Sequence, residues 1–231
     1  MTIDDLFQKP MKQLIITIDG PSGAGKTTVS RILAHRLGYR YIDTGALYRG
    51  VALAAISSGL RPDDDKGLEK LCDSLKMNFV RDEKGLRLVL NDSDITDQIR
   101  TPGITMFASA VSARPVVRNF LLNLQRNLGK EKGVVFEGRD MGTVVFPNAD
   151  VKFFLDASQK TRAQRRYKEF KSVNPQSFEM VERDMRHRDK NDSTRNLAPL
   201  KPAEDAIHID STDLTIETVV DRMMTVIDNI T

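Results

Sequence analysis

The chain holds no tryptophan, a single cysteine and three histidines among 231 residues. A lone Cys72 excludes an intramolecular disulfide, so a reducing compartment, the cytoplasm, is expected. His35, His187 and His208 lie far apart in sequence and are read as structural rather than catalytic. The missing tryptophan, with no aromatic-rich basic stripe, argues against a platform on which single-stranded nucleic acid would stack. No apolar run approaches the roughly 20 residues that span a bilayer. No Asn-Lys-x-Asp guanine-reading motif is present. Residues 1–12 carry Asp4, Asp5 and Pro10 and lack the apolar centre of a signal peptide, so 1–11 are expected to form a short tail. There is little charge imbalance either. A net charge of +3 suits an anionic small substrate and does not call for nucleic acid.

What is present begins at residue 20. Gly20-Pro21-Ser22-Gly23-Ala24-Gly25-Lys26-Thr27 is a complete G-x-x-x-x-G-K-[ST] phosphate-binding loop, followed by Thr28. Glycines let successive backbone N–H groups converge on phosphate oxygens. Lys26 supplies a compact positive charge for the β- and γ-phosphates, and Thr27 offers a hydroxyl to Mg²⁺. Residues 14–18 read as a buried strand. Val29, Ile32, Leu33 and Leu37 then follow at helical spacing up to Gly38. Strand, loop and helix in that order place phosphate on a helix N-terminus.

Short apolar segments at 14–18, 39–43, 134–137, 151–156 and 206–210 alternate with helical stretches. This predicts an α/β fold with a five-stranded parallel sheet covered on both faces. Residues 216–230 form a closing core helix in this reading. Two stretches break the alternation. Residues 45–118 contain helical patterns at 47–58, 66–75, 104–113 and 116–128. They also carry a hairpin pattern, 77–80 and 86–90, joined through Asp82-Glu83-Lys84-Gly85, and the last of the helical patterns runs on beyond the stretch to 128. An insertion at a strand's C-terminal end lies where α/β sheets bind ligands. Residues 160–195 carry eleven Lys and Arg against six Asp and Glu. Such a helical pair can be a solvated face. Beside a phosphate loop, Arg162, Arg165 and Arg166 on roughly one helix face are read as belonging to a lid over the transferring phosphoryl group.

Three further clusters pair arginine with carboxylate or hydroxyl. They are Asp43-Thr44-Gly45-Ala46-Leu47-Tyr48-Arg49, Glu137-Gly138-Arg139-Asp140-Met141-Gly142-Thr143-Val144-Val145-Phe146-Pro147, and Arg188 through Arg195. As surface ion pairs each would be worth ~0–1 kcal/mol. Three of them, at strand ends or on the lid's return path, are read as a second nucleotide pocket, with arginine forks for phosphate.

These clusters, with the insertion Ile99-Arg100-Thr101-Pro102 through Ser109 to Arg118 and the later Ala198-Pro199-Leu200, resemble the bacterial cytidylate kinases of the nucleoside monophosphate kinase group. The resemblance runs from about Ile15 to the C-terminus. It implies a P-loop kinase core spanning 12–231, a monophosphate-binding insertion at about 45–118 and a basic lid at about 160–180. The implied reaction uses ATP and Mg²⁺ to convert CMP or dCMP to CDP or dCDP; UMP or shikimate is the alternative acceptor. Residues 20–28 would hold ATP. Arg49, Arg139 and Arg188 would clamp the acceptor phosphate. Thr44, Arg118, Asp140 and Arg195 would read cytosine; Ser109, Arg188 and Asp192 would contact the ribose, with Tyr48 in the same pocket. Lys26, Arg139, Arg188 and Arg162 are the expected catalytic cations. Glu137 or Asp43 would orient the Mg²⁺ shell. Thr44 stands where many members have serine, and Thr28 follows Thr27 where many have glycine and threonine after the lysine. A monomer without nucleic-acid or membrane partners is expected.

Overall fold

The computed structural model describes residues 12–83, 85–170 and 177–230. The tail 1–11 and the middle of the expected lid, 171–176, lie outside the described residues, as does Lys84.

Strand β1 (Ile15–Asp19) runs into the phosphate loop and α1 (Lys26–Leu37). β2 (Arg40–Asp43), β6 (Val134–Gly138), β7 (Val151–Asp156) and β8 (Ile207–Asp210) pair with it directly or through neighbours. All pairs are parallel, and the order is β2-β6-β1-β7-β8. The five expected strands are therefore those of the sheet, each within one residue of its expected bounds at either end. Parallel strands buried on both faces read as apolar runs, which is why they were legible. α1 and α8 (Ile216–Asp228) pack together and share a core with β1 and β7.

Between β2 and β6 come α2 (Thr44–Ser57), α3 (Asp65–Ser74), β3 (Met77–Asp82), β4 (Gly85–Leu90), β5 (Ser93–Asp94), α4 (Pro102–Val111) and α5 (Pro115–Leu128). They build their own apolar core, around Leu47, Val51, Leu68, Leu88, Val111 and Leu121. α2 begins three residues before the expected Leu47. Asp43, the last residue of β2, caps it by accepting from the Ala46 amide at 3.2 Å. Thr-Gly-Ala read as loop because glycine disfavours helix, and the cap overrides that preference. The hairpin is a three-stranded antiparallel sheet, β3-β4-β5. Asn91 and Asp92, both with positive φ (46 and 65), make the extra turn. β5 has two residues, too few to leave a periodic signature.

After β7, α6 (Gln159–Phe170) and α7 (Phe178–Thr194) form the basic pair. Residues Met141–Val145, following β6, form a π-helical turn with no counterpart in the sequence reading.

Candidate active site

All five sheet strands point the same way, so the ends of β1, β2 and β6 present their loops at one rim. The phosphate loop there has a backbone only glycine tolerates well. Gly20 has φ 149, and a Cβ on it would lie 1.9 Å from the Leu155 carbonyl oxygen. Gly23 has φ 77, and its Cβ would meet the Arg162 carbonyl oxygen at 2.8 Å. Lys26 is 4% exposed and donates to the Pro21 carbonyl at 2.6 Å. Burial and the neighbouring Arg139 guanidinium pull its ammonium down to about 7. Thr27 Oγ1 donates to Glu137 Oε1 at 2.8 Å, and the Tyr41 hydroxyl donates to Glu137 Oε2 at 2.6 Å. Of the two carboxylates considered for the metal shell, Glu137 is thus the one that touches Thr27. Asp43 is occupied as the α2 cap and by Arg49 Nη2 at 2.7 Å.

Opposite this loop the arginine clusters converge. Asp140, 2% exposed, receives Arg118 Nη2 on one oxygen and lies 3.5 Å from Arg195 Nη2 on the other. Arg118 and Arg195 also meet at Ser112, one donating to its carbonyl (3.1 Å) and one to its hydroxyl (3.2 Å). Arg139 Nε donates to Asp192 Oδ2 at 3.0 Å. Thr44 donates to the Glu137 carbonyl at 2.6 Å, and Arg118 lies over the Tyr48 ring. Arg188 is partly buried beside Arg139, and desolvation first, then that like charge, lower it to about 10. Arg188 Nε, Arg49 Nε and Ser109 Oγ are buried without a hydrogen-bond partner among the described residues.

Between the two sides lies a cleft of about 500 Å³, within the range of small-molecule sites. Seven Lys and Arg line it against five Asp and Glu, so it favours anions. Of the residues singled out in the sequence, Ser22, Gly23, Gly25, Lys26, Thr27, Thr28, Thr44, Tyr48, Arg49, Ser109, Arg139, Asp140, Arg188, Asp192 and Arg195 line it. Gly20, Pro21 and Ala24 shape the loop from behind, and Arg118 sits behind Asp140.

Arg162 is placed differently from the sequence expectation. It does not line the cleft. Its guanidinium lies against the back of the phosphate loop, donating to the Ser22 carbonyl at 3.0 Å and to Asp189, while Nε donates to the Ala157 carbonyl at 2.9 Å. Arg165 is similarly held by Ser211, at 2.6 Å to its carbonyl. Arg166 does line the cleft, beside Glu169 at 2.9 Å. α6 crosses the loop, so neighbours on one helix face reach opposite sides of it. Sequence reasoning missed Tyr41 as a partner of Glu137, Arg100 in the lining and the buried Asp19. Tyr41 sits in an ordinary strand pattern that carries no signal for this contact.

The residues fit a hard divalent cation bound with a polyphosphate. Among the described residues no group of three His, Cys, Asp or Glu could hold a metal by itself. Thr27 and Glu137 offer oxygens beside a phosphate loop, as suits Mg²⁺, which keeps waters and takes phosphate oxygens.

A family model described as cytidylate kinase matches residues 16–229. The chain belongs to the cytidylate kinase family. It is 53% identical over 215 residues to the cytidylate kinase of Geobacter sulfurreducens, covering 93% of this chain and 92% of that one. To the cytidylate kinase of Ligilactobacillus salivarius it is 44% identical, covering 94% and 98%. Among solved structures, an uncharacterized protein from Eubacterium ventriosum ATCC 27560 matches with a TM-score of 0.51 at 17% identity, over 94% of this chain and 99% of that one. That is a likeness of fold alone. The family membership agrees with the phosphate loop on one wall of the cleft.

Proposed function

We propose that this cleft transfers the γ-phosphoryl group of ATP to CMP or dCMP, giving ADP and CDP or dCDP. The observation that carries the reading is one cationic cleft with a phosphate loop on one wall and the Asp140–Arg118–Arg195 and Arg139–Asp192 clusters on the other.

Residues 20–28 cradle ATP. Lys26 and Arg139 lie where charge develops on the transferring group, and catalysis is positioning plus charge stabilisation. Thr27 would hold a Mg²⁺ bound with ATP, with Glu137 orienting its shell, and the ion would supply neutralisation of phosphate charge. An acceptor phosphate oxygen attacks the γ-phosphorus, and the bond to the β–γ bridging oxygen breaks with ADP as leaving group. That acceptor oxygen is already ionised near neutral pH, so no general base is needed. Arg49, Arg139 and Arg188 clamp the acceptor phosphate. Asp140 accepts from the exocyclic amine of cytosine, held for this by Arg118 and Arg195, with Thr44 and Tyr48 in the same wall. Ser109 and Asp192 contact the sugar. The chain acts on these small molecules as a monomer.

Coupled ADP-release assays with CMP, dCMP, UMP, AMP and shikimate test the reading. Turnover is expected to be fastest with CMP or dCMP. Faster turnover with UMP or shikimate would replace the acceptor, and no turnover with any would sink the activity.

A further inference from the structure

Asp19 is the last residue of β1 and immediately precedes Gly20 of the phosphate loop. It is 4% exposed, and both its oxygens are used: Oδ1 accepts from the Met141 amide at 3.0 Å and Oδ2 from the Gly142 amide at 2.7 Å. These amides open the π-helical turn Met141–Val145, whose own bonds run from the Val145 amide to the Asp140 carbonyl and from the Phe146 amide to the Met141 carbonyl. The first amides of a helical turn find no acceptor within it and need one from outside. On the other side of Arg139 and Asp140, Gly138 pairs with Asp19 in the β1–β6 ladder. One aspartate therefore holds the backbone on both sides of two residues that line the cleft. The far end of the segment is held separately. Arg126 donates to the Val144 and Val145 carbonyls at 3.2 Å, and Lys152 donates to Pro147.

We propose that Asp19 is a positioning residue that fixes Arg139 and Asp140 relative to the phosphate loop, so that the acceptor is aligned with the donor. This rests on the activity proposed above. A charge-assisted bond to a backbone amide suits the task, because it is stronger and shorter than a neutral one. Held apart at the far end by Arg126 and Lys152, the turn itself should persist without Asp19 while its near end loosens.

Asp19→Asn has nearly the same shape but sets an amide N–H against one of the backbone N–H groups. Steady-state kinetics with CMP and ATP varied separately should show the KM for CMP raised about tenfold, as for one lost charged hydrogen bond, and the KM for ATP changed by less than about twofold. Backbone hydrogen exchange should quicken at residues 141 and 142 and stay unchanged in α1. An unchanged KM for CMP, or equal rises in both constants, overturns the proposal, as does unchanged exchange at 141 and 142. If Asp19→Asn does not fold, Asp19→Glu, which keeps the charge but shifts it by one carbon, gives the same comparison. A wild-type chain inactive on CMP would refute the activity instead, and the exchange result would still decide whether Asp19 holds the turn.

Discussion

Single side chains in this cleft are held by partners whose loss would leave a buried charge behind. Asp140 is the sharpest case, lying between two largely buried guanidiniums. Replacing it with alanine strands Arg118 and Arg195, which should cost about 3–5 kcal/mol of stability. It should also raise the KM for CMP far more than that for ATP; equal changes in the two would remove Asp140 from base recognition. Asp19 carries a different signature. Burial pushes its carboxyl up from 3.8 to about 6. Between those values the folded chain keeps a proton that the unfolded chain has released. Its contribution to stability is therefore fully present below about 3.8 and lost as pH rises through about 6. Asparagine has no such titration, so the stability of Asp19→Asn relative to wild type should improve between about pH 4 and about pH 7. Urea unfolding at the two ends of that window measures it, and a constant difference would contradict the elevated carboxyl.

At the scale of elements, α6 does two jobs with arginines one turn apart. Arg162 and Arg165 bind backbone oxygens behind the phosphate loop, whereas Arg166 lines the cleft. Arg166→Ala should lower kcat, by about 10²-fold if it follows the transferring charge, with little change in unfolding temperature. Arg162→Ala should lower the unfolding temperature as well, because Asp189 and the Ser22 carbonyl lose a buried donor. Thermal unfolding beside kinetics on both variants separates the roles; identical profiles would merge them. If the basic pair excludes water once both nucleotides are bound, ATP hydrolysis without CMP should be much slower than transfer with it. Comparable rates would dismiss that gating. The other informative element is the π-helical turn after β6. Its shape depends on acceptors and donors from β1, α5 and β7, brought together from distant parts of the chain.

The described residues pack into separate apolar cores. One lies under α1 and α8, and another fills the segment between β2 and β6. Leu121, fully buried in the second core, should cost about 2–5 kcal/mol when cut to alanine. Denaturant unfolding would show it; a change below about 1 kcal/mol would mean that this core relaxes around the gap. The sequence by itself determined the phosphate loop, because each of its residues acts through local backbone freedom or its own chemistry. It also determined the five strands, whose double-sided burial writes itself as short apolar runs, and the arginine-carboxylate clusters as compositions. Which member of a cluster faces the cleft was decided by tertiary structure. Arg162 and Arg166 are indistinguishable by spacing, and the crossing of α6 over the loop separates them. Glu137 rather than Asp43 meets Thr27 because β6 lies between β1 and β2. Asp19 gained its partners only when the strand ladder set residue 138 beside residue 19, a contact across more than a hundred residues that no local pattern encodes.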